Sequence, residues 1–268
     1  MTVEDIRHFT QVILAKLPIA RFRNPPPLIG VLRVDGVIGR SLGPSRKDIT
    51  LTGYERAIAK LFANKRLIAV ALVINSPGGS PVQSSLLSNR IQDLAKERKI
   101  PVIAFCEDVA ASGGYWLACA ADEIFADGNS IIGSIGVISA GFGFADLIER
   151  FGIERRVYST GPRKGMLDPF QEEKPADIDR LMELHEDIFE NFREHIRQRR
   201  GDRLMASDET LFNGDIWTGK QAVEVGLIDG LAEMRSEMQK RYGTDVRFQH
   251  ASPRPGIFGR LRGGTRFG

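Results

Sequence analysis

Apolar and polar positions along this chain fall into short blocks, and the period changes from block to block. Residues 67–74, Leu67-Ile68-Ala69-Val70-Ala71-Leu72-Val73-Ile74, have no polar interruption. An unbroken run of that length predicts a strand buried on both faces, as in a parallel sheet lying under helices. Strands are also expected over 28–34, 101–105, 123–126 and 153–158. Helical spacing lies between them. Tyr54, Ile58, Leu61 and Phe62 share a face of a helix over 52–64, with Thr50 or Thr52 as its cap. Further helices are expected over 83–97, 112–121 and 144–151. The longest covers 175–200, where Ile178, Leu181, Met182, Leu184, Ile188, Phe189, Phe192 and Ile196 keep the 3.6-residue period until Gly201-Asp202 ends it. Two more, 218–225 and 231–241, are joined by a glycine-bounded turn at 226–230. Strand and helix alternate at short spacing, so the chain predicts an α/β fold of repeated βαβ units with right-handed crossovers. No internal repeat is present.

The ends read differently. Asn24-Pro25-Pro26-Pro27 forms a stiff connector that breaks any helix. It separates residues 1–27 from a single domain over 28–249. Residues 250–268 are rich in Pro, Gly and Arg and read as a disordered tail. Within 5–23, Ile6, Phe9, Val12, Ile13 and Leu17 share one helical face, and every charge after Asp5 is basic. That pattern suits a helix lying on an anionic membrane, and equally one packed on the body or on a neighbouring subunit. No apolar run approaches the roughly 20 residues of a spanning helix, and the first residues lack the basic stretch of a secretion signal. The expected place is the cytoplasm, with peripheral contact at the inner face of the membrane through 5–23.

Composition narrows the function. The chain has 268 residues, 42% hydrophobic and 26% charged, with a formal net charge of +3. Collagen-like, disulfide-scaffold and disordered classes are excluded. Arg254, Arg260, Arg262 and Arg266 carry the excess charge. The rest of the chain is near neutral and offers no basic face for nucleic acid. Cys106 and Cys119 stand in apolar surroundings and read as reduced, buried residues.

Three glycine-rich turns each follow a strand: Asn75-Ser76-Pro77-Gly78-Gly79-Ser80, Ala110-Ala111-Ser112-Gly113-Gly114, and Ile132-Gly133-Ser134-Ile135-Gly136-Val137. In a parallel sheet such loops converge on one crevice. None carries a phosphate-binding spacing. Gly78 and Gly113 instead suit a pair of bare backbone N–H donors, an oxyanion hole. Ser112 opens a helix, where it can act as a plain N-cap or as a nucleophile. Two glycines following it lower helix propensity for no evident structural gain. A nucleophilic serine needs a base. His8 and His250 lie in the terminal segments, and His185 and His195 read as solvated residues of the long charged helix. Lysine can also serve once burial strips its ammonium of water. Lys164, in the Gly/Pro loop Thr160-Gly161-Pro162-Arg163-Lys164-Gly165-Met166-Leu167, is the candidate, although taken alone it reads as an ordinary surface lysine.

These segments, together with Gly219-Lys220-Gln221-Ala222-Val223-Glu224-Val225-Gly226-Leu227-Ile228-Asp229, match peptidase family S49, the signal peptide peptidase A group, in order and spacing. The resemblance covers roughly 28–235. It implies a Clp/crotonase-like ββα superhelix with a mainly parallel sheet. It also implies a serine endopeptidase with Ser112 as nucleophile, Lys164 as general base, Gly78 and Gly113 as oxyanion donors, and Ser134 orienting the lysine. Neither cofactor nor metal is implied. The partners implied are extended or membrane-released peptides, such as signal peptide remnants. Family members assemble into homo-oligomeric rings whose active sites can be shared between protomers. Typical members carry an N-terminal membrane anchor, and no such segment is seen here. Two other functions are kept open: a crotonase-type acyl-CoA enzyme using Glu107 or Asp108, and a non-catalytic peptide-binding scaffold.

Overall fold

The computed structural model describes residues 25–40, 48–161 and 163–253. The expected helix at 5–23 and the tail from 254 onward lie outside the described residues. Strand β1 (Leu28–Asp35) is followed by α1 (Leu51–Phe62), β2 (Leu67–Ser76), α2 (Pro81–Arg98), β3 (Val102–Ala111), α3 (Gly113–Ala118), β4 (Glu123–Ala126) and β5 (Ile131–Gly133). Then come α4 (Ala145–Arg150), α5 (Pro175–Arg200), α6 (Asp208–Leu211), β6 (Ile216–Thr218), α7 (Gly219–Glu224), β7 (Gly230–Leu231), α8 (Met234–Tyr242) and β8 (Arg247–Ala251). The main path of the sheet is β6-β5-β3-β2-β1-β8, with β4 pairing β3 and β7 off that path. Every pairing is parallel except β5 with β6.

The unbroken apolar run of β2 lies between two cores. On one face, Leu72 and Ile74 pack with α1, α2 and α3; on the other, Ala71 and Val73 meet Phe105, Met238 and Val246 under α8. Thr50 caps α1 through its side chain, which accepts from the Gly53 N–H.

β3 does most to place the site. Its first half pairs with β4 and its end with β5. The register against β2 jumps between Ile74↔Cys106 and Ser76↔Ala110, so β3 carries extra residues there. A bulge of this kind bends a strand and re-aims the residues beyond it. Here it turns the end of β3 away from β4 and delivers Ser112 next to β5.

Two expectations fail. Residues 153–158 form no strand; they lie exposed in an extended loop with no sheet edge beside them. His250 and Ala251, read as the start of the tail, belong to β8 and pair with Val31 and Leu32 of β1.

Candidate active site

The three glycine turns converge. A cleft of about 750 Å³ is lined by Pro77 and Gly79 from the first turn, Ser112 from the second, and Ser134 and Ile135 from the third. Ser112 holds φ 52° and ψ −123°, a left-handed backbone that a residue with a side chain seldom adopts. Such strain costs on the order of 1–3 kcal/mol and survives only where the surroundings enforce it. Two hydrogen bonds help enforce it. The Ser112 N–H donates to Gly133 O at 2.7 Å, and its carbonyl accepts from the Trp116 N–H at 3.0 Å. The Ser112 hydroxyl caps nothing in its own helix, so the plain N-cap reading does not hold.

The glycine pair after Ser112 does have a packing reason, contrary to the expectation from helix propensity. A Cβ on Gly113 would overlap Ser84 Oγ, and one on Gly114 would stand 2.5 Å from Ser76 O. The start of α3 is pressed against the end of β2 and the first turn of α2, and only glycine allows the approach.

Gly78 is equally confined. Its φ is +103°, and a Cβ there would lie 2.8 Å from both Gly113 N and Ser112 Cβ. Its N–H, however, already donates to Ser76 Oγ at 3.1 Å. The next amide, that of Gly79, has no partner among the described residues, and Gly79 rather than Gly78 lines the cleft with Ser112. The Gly113 N–H, in the first turn of α3, is likewise without a partner among the described residues. Sequence alone cannot tell these adjacent glycines apart, because the bond from Gly78 N–H to Ser76 is not visible in it.

Ser134 also has a left-handed backbone, φ 51°, pinned by its N–H donating to Asp215 O at 2.7 Å. Lys164 is not among the residues that line the Ser112 cleft. It sits exposed in the turn after Gly161, and its ammonium meets no acceptor or carboxylate among the described residues. The surrounding segment carries unburied apolar residues, with Tyr158 92%, Ile138 86%, Phe142 80% and Phe151 72% exposed, and α4 buries none of its residues.

The two histidines of α5 differ: His185 is only partly buried, as a partly solvated residue would be, whereas His195 departs from the solvated reading expected. His185 lines the Ser112 cleft, and its Nε2 lies 2.7 Å from Ser139 Oγ. His195 is largely withdrawn from water. Its ring stacks on Trp116 at 4.9 Å, and burial pushes its pKa down to about 4. Glu107 and Asp108 lie elsewhere, in a cavity of about 800 Å³ that also takes in Val73 and Phe105 from the second core. Glu107 is paired with Arg33, and Asp108 accepts from the Asn75 amide at 2.9 Å. Cys106 and Cys119 are buried and form no disulfide, and burial raises both thiol pKa values.

A mainly parallel sheet whose strand-end loops gather a strained serine and backbone amides without partners among the described residues gives an α/β fold of the Clp/crotonase type. The solved structure of 1510-N membrane-bound stomatin-specific protease, in a serine-to-alanine mutant, overlays with a TM-score of 0.53 at 18% identity, covering 86% of this chain and all of that one. The description Peptidase family S49 matches residues 94–243, more than half of the chain, and the chain belongs to that family. Among curated relatives, "Na(+)/H(+) antiporter NhaA" of Brucella abortus is 47% identical over 92% of this chain and 34% of its own length. "Serine protease SPPA, chloroplastic" of Arabidopsis thaliana is 35% identical over 76% of this chain and 30% of its own. The chain thus spans about a third of these relatives. No helix among the described residues is long and apolar enough to cross a membrane.

Proposed function

We propose that this chain is a serine endopeptidase in which Ser112 attacks the peptide carbonyl and Lys164 is the general base. The observation that carries this is the forced left-handed turn of Ser112 at the wall of a cleft, beside two amides that have no partner among the described residues. The Gly113 and Gly79 N–H groups serve as the oxyanion donors, and Gly78 is the packed hinge that lets them approach. This revises the pair expected from sequence. One such donor is typically worth about 10²–10³ in turnover.

The chemistry runs in two halves. Lys164 Nζ takes the Ser112 Oγ proton as the oxygen bonds to the carbonyl carbon, and the two amides hold the resulting oxyanion. The same ammonium then protonates the leaving amine, and water repeats the sequence on the acyl-enzyme. The Ser134 hydroxyl, in the same cleft, orients the ammonium. Lys164 reaches the cleft from a second copy of the chain, in a homo-oligomeric ring that covers the exposed apolar segment 138–158. The substrate is an extended peptide. Ile135, Val137, Phe189 and Phe212 along the cleft favour apolar side chains near the cut. The neighbour 1510-N, as a lysine-to-alanine mutant, is described in complex with a substrate peptide, which supports this class. Signal peptide remnants fit it, and residues 5–23 would bring the chain to the membrane surface where these are released. A crotonase-type reading has its acids in the other cavity.

Intact mass after treatment with a fluorophosphonate tests the assignment. One adduct at Ser112 is expected in the wild type and none in Ser112→Ala or Lys164→Ala. Full peptide cleavage by both variants would refute it. Mixing the two inactive variants should restore part of the activity if serine and lysine come from different protomers.

A further inference from the structure

α3 is only six residues long, too short to hold itself in water. Yet it carries the strained Ser112 at its first turn. The far end of α3 explains how it is held. Backbone N–H groups downstream satisfy the carbonyls of Tyr115, Leu117 and Ala118, the donors being Cys119, Ala120 and Ala121. The carbonyls of Trp116, Cys119, Ala120 and Ala121 are left over, and all four go to two side chains of α5. His195 Nε2 donates to Trp116 O at 3.1 Å. Arg199 Nε donates to Cys119 O at 2.7 Å, and its Nη2 to Ala120 O at 3.3 Å and Ala121 O at 2.9 Å.

The stacking follows the same rows of α5. The Trp116 indole has no hydrogen bond on its buried Nε1. It lies against Phe192 and His195, each at 4.9 Å between ring centroids. On the opposite side, Tyr115 OH donates to Leu227 O at 2.6 Å. A cation at the C-terminal end of a helix is also favoured by the helix dipole.

We infer that His195 and Arg199 are positioning residues for the Ser112 reaction: His195 occupies the leftover Trp116 carbonyl of α3, Arg199 occupies the carbonyls of the turn 119–121 that follows it, and together they hold the helix in the one place where Ser112 must keep its strained turn beside the Gly79 and Gly113 amides. The inference rests on Ser112 being the nucleophile. His195 does this as the neutral Nε2–H tautomer, the form a carbonyl acceptor selects. It touches neither substrate nor the reacting atoms; it lies a full turn of helix away from Ser112.

The test is the saturation kinetics of a fluorophosphonate on the full chain, which separates reagent binding from bond formation at Ser112. The variants are His195→Leu, His195→Gln, Arg199→Leu and Arg199→Lys, each measured below its own unfolding temperature with far-ultraviolet circular dichroism matching the wild type. His195→Leu and Arg199→Leu should slow bond formation about tenfold or more, since misplacement by an ångström can cost about a hundredfold, while reagent affinity changes less than about twofold. His195→Gln, whose amide can donate to the same carbonyl, should return to within about threefold of the wild type. Arg199→Lys keeps the charge but not the fork and should fall between. Folded leucine variants that react at the wild-type rate would overturn the inference alone, as would a His195→Gln variant as slow as His195→Leu. A wild type with no adduct at Ser112 would overturn the nucleophile assignment and this inference with it.

Discussion

Gly113 offers a sharp test of how tightly the serine turn is built. In a helix an alanine is ordinarily better than glycine by about 0.5–1 kcal/mol, so Gly113→Ala would stabilise the protein if there were room. There is none. The new methyl overlaps Ser84 Oγ, and Ser84 is fully buried. That hydroxyl donates to Ser80 O at 3.0 Å, so rotating it away gives up a bond worth about 1 kcal/mol. Overpacking of this kind costs about 1–3 kcal/mol, and the net loss should be about 1–2 kcal/mol. The Gly113 amide also moves, so labelling of Ser112 by fluorophosphonate should slow about tenfold or more. Removing Ser84 Oγ reverses the sign. With Ser84→Ala in place, the nearest atoms to the methyl are Gly79 N at 3.4 Å and Ser84 Cβ at 3.5 Å, both ordinary contacts. In that background Gly113→Ala should be neutral or stabilising, giving a coupling of about 1–3 kcal/mol between the two sites. Urea unfolding midpoints of the four proteins, with labelling rates beside them, measure it. Additive losses in the double variant, with labelling no faster than in Gly113→Ala, would refute the packing argument.

Other consequences can be checked more briefly. The His195 pKa is depressed in the folded state, so above about pH 6.5 the ring is neutral folded or unfolded and contributes no pH dependence. Below that the unfolded chain takes a proton that burial, and secondarily the Arg199 charge, denies the folded one, and stability should fall towards pH 4 by up to about 3 kcal/mol. His195→Gln should flatten that part of the curve in urea titrations at several pH values; an unchanged slope would count against it. Arg200 is buried against Asp229 Oδ2 at 2.8 Å and donates twice to Gly226 O. Arg200→Met should cost about 3 kcal/mol by leaving a carboxylate short of its partner, tempered by Arg203, which stays 3.3 Å from Asp229 Oδ1. Lys99 ends α2 with a left-handed φ of 53°, so Lys99→Gly should raise stability by about 0.5–1 kcal/mol, read from the same midpoints.

Legibility in the sequence divides along the range of the forces involved. β2 was legible because nothing but burial on two faces explains eight apolar residues in a row. α5 was legible because eight apolar positions kept one period. β5 and β6, three residues each, are too short to show any period; β5 forms on the edge that the bulged end of β3 offers, and β6 on the edge of β5. β8 was missed because Arg247-Phe248-Gln249-His250-Ala251 is polar and runs into Ser252-Pro253, yet β1 has an open edge beside it. At the site, residue types showed that Ser112 and its glycines were unusual. They could not show which glycine N–H was spoken for, since that depends on one hydroxyl two residues earlier. Nor could spacing along α5 reveal that His195 and Arg199 face leftover carbonyls about 80 residues away in the chain.

That Lys164 does not line the Ser112 cleft has the same origin. Everything that fixes Ser112 is inside the chain: the bulge in β3, the Gly133 carbonyl, the glycine contacts and the α5 side chains. The segment that carries Lys164 has the opposite character. Its apolar residues Ile138, Phe142, Phe151 and Tyr158 stand in water, its helix α4 buries no residue, and the lysine has no partner among the described residues. Soluble surfaces seldom leave that many large apolar side chains together without a use for them. On the proposed reading both deficits close in one event. A second copy that covers the apolar segment also carries the ammonium out of water and into the Ser112 cleft, the change that turns a lysine into a base. The isolated chain then holds a pre-strained serine that has no base, and proteolysis begins with assembly rather than with folding.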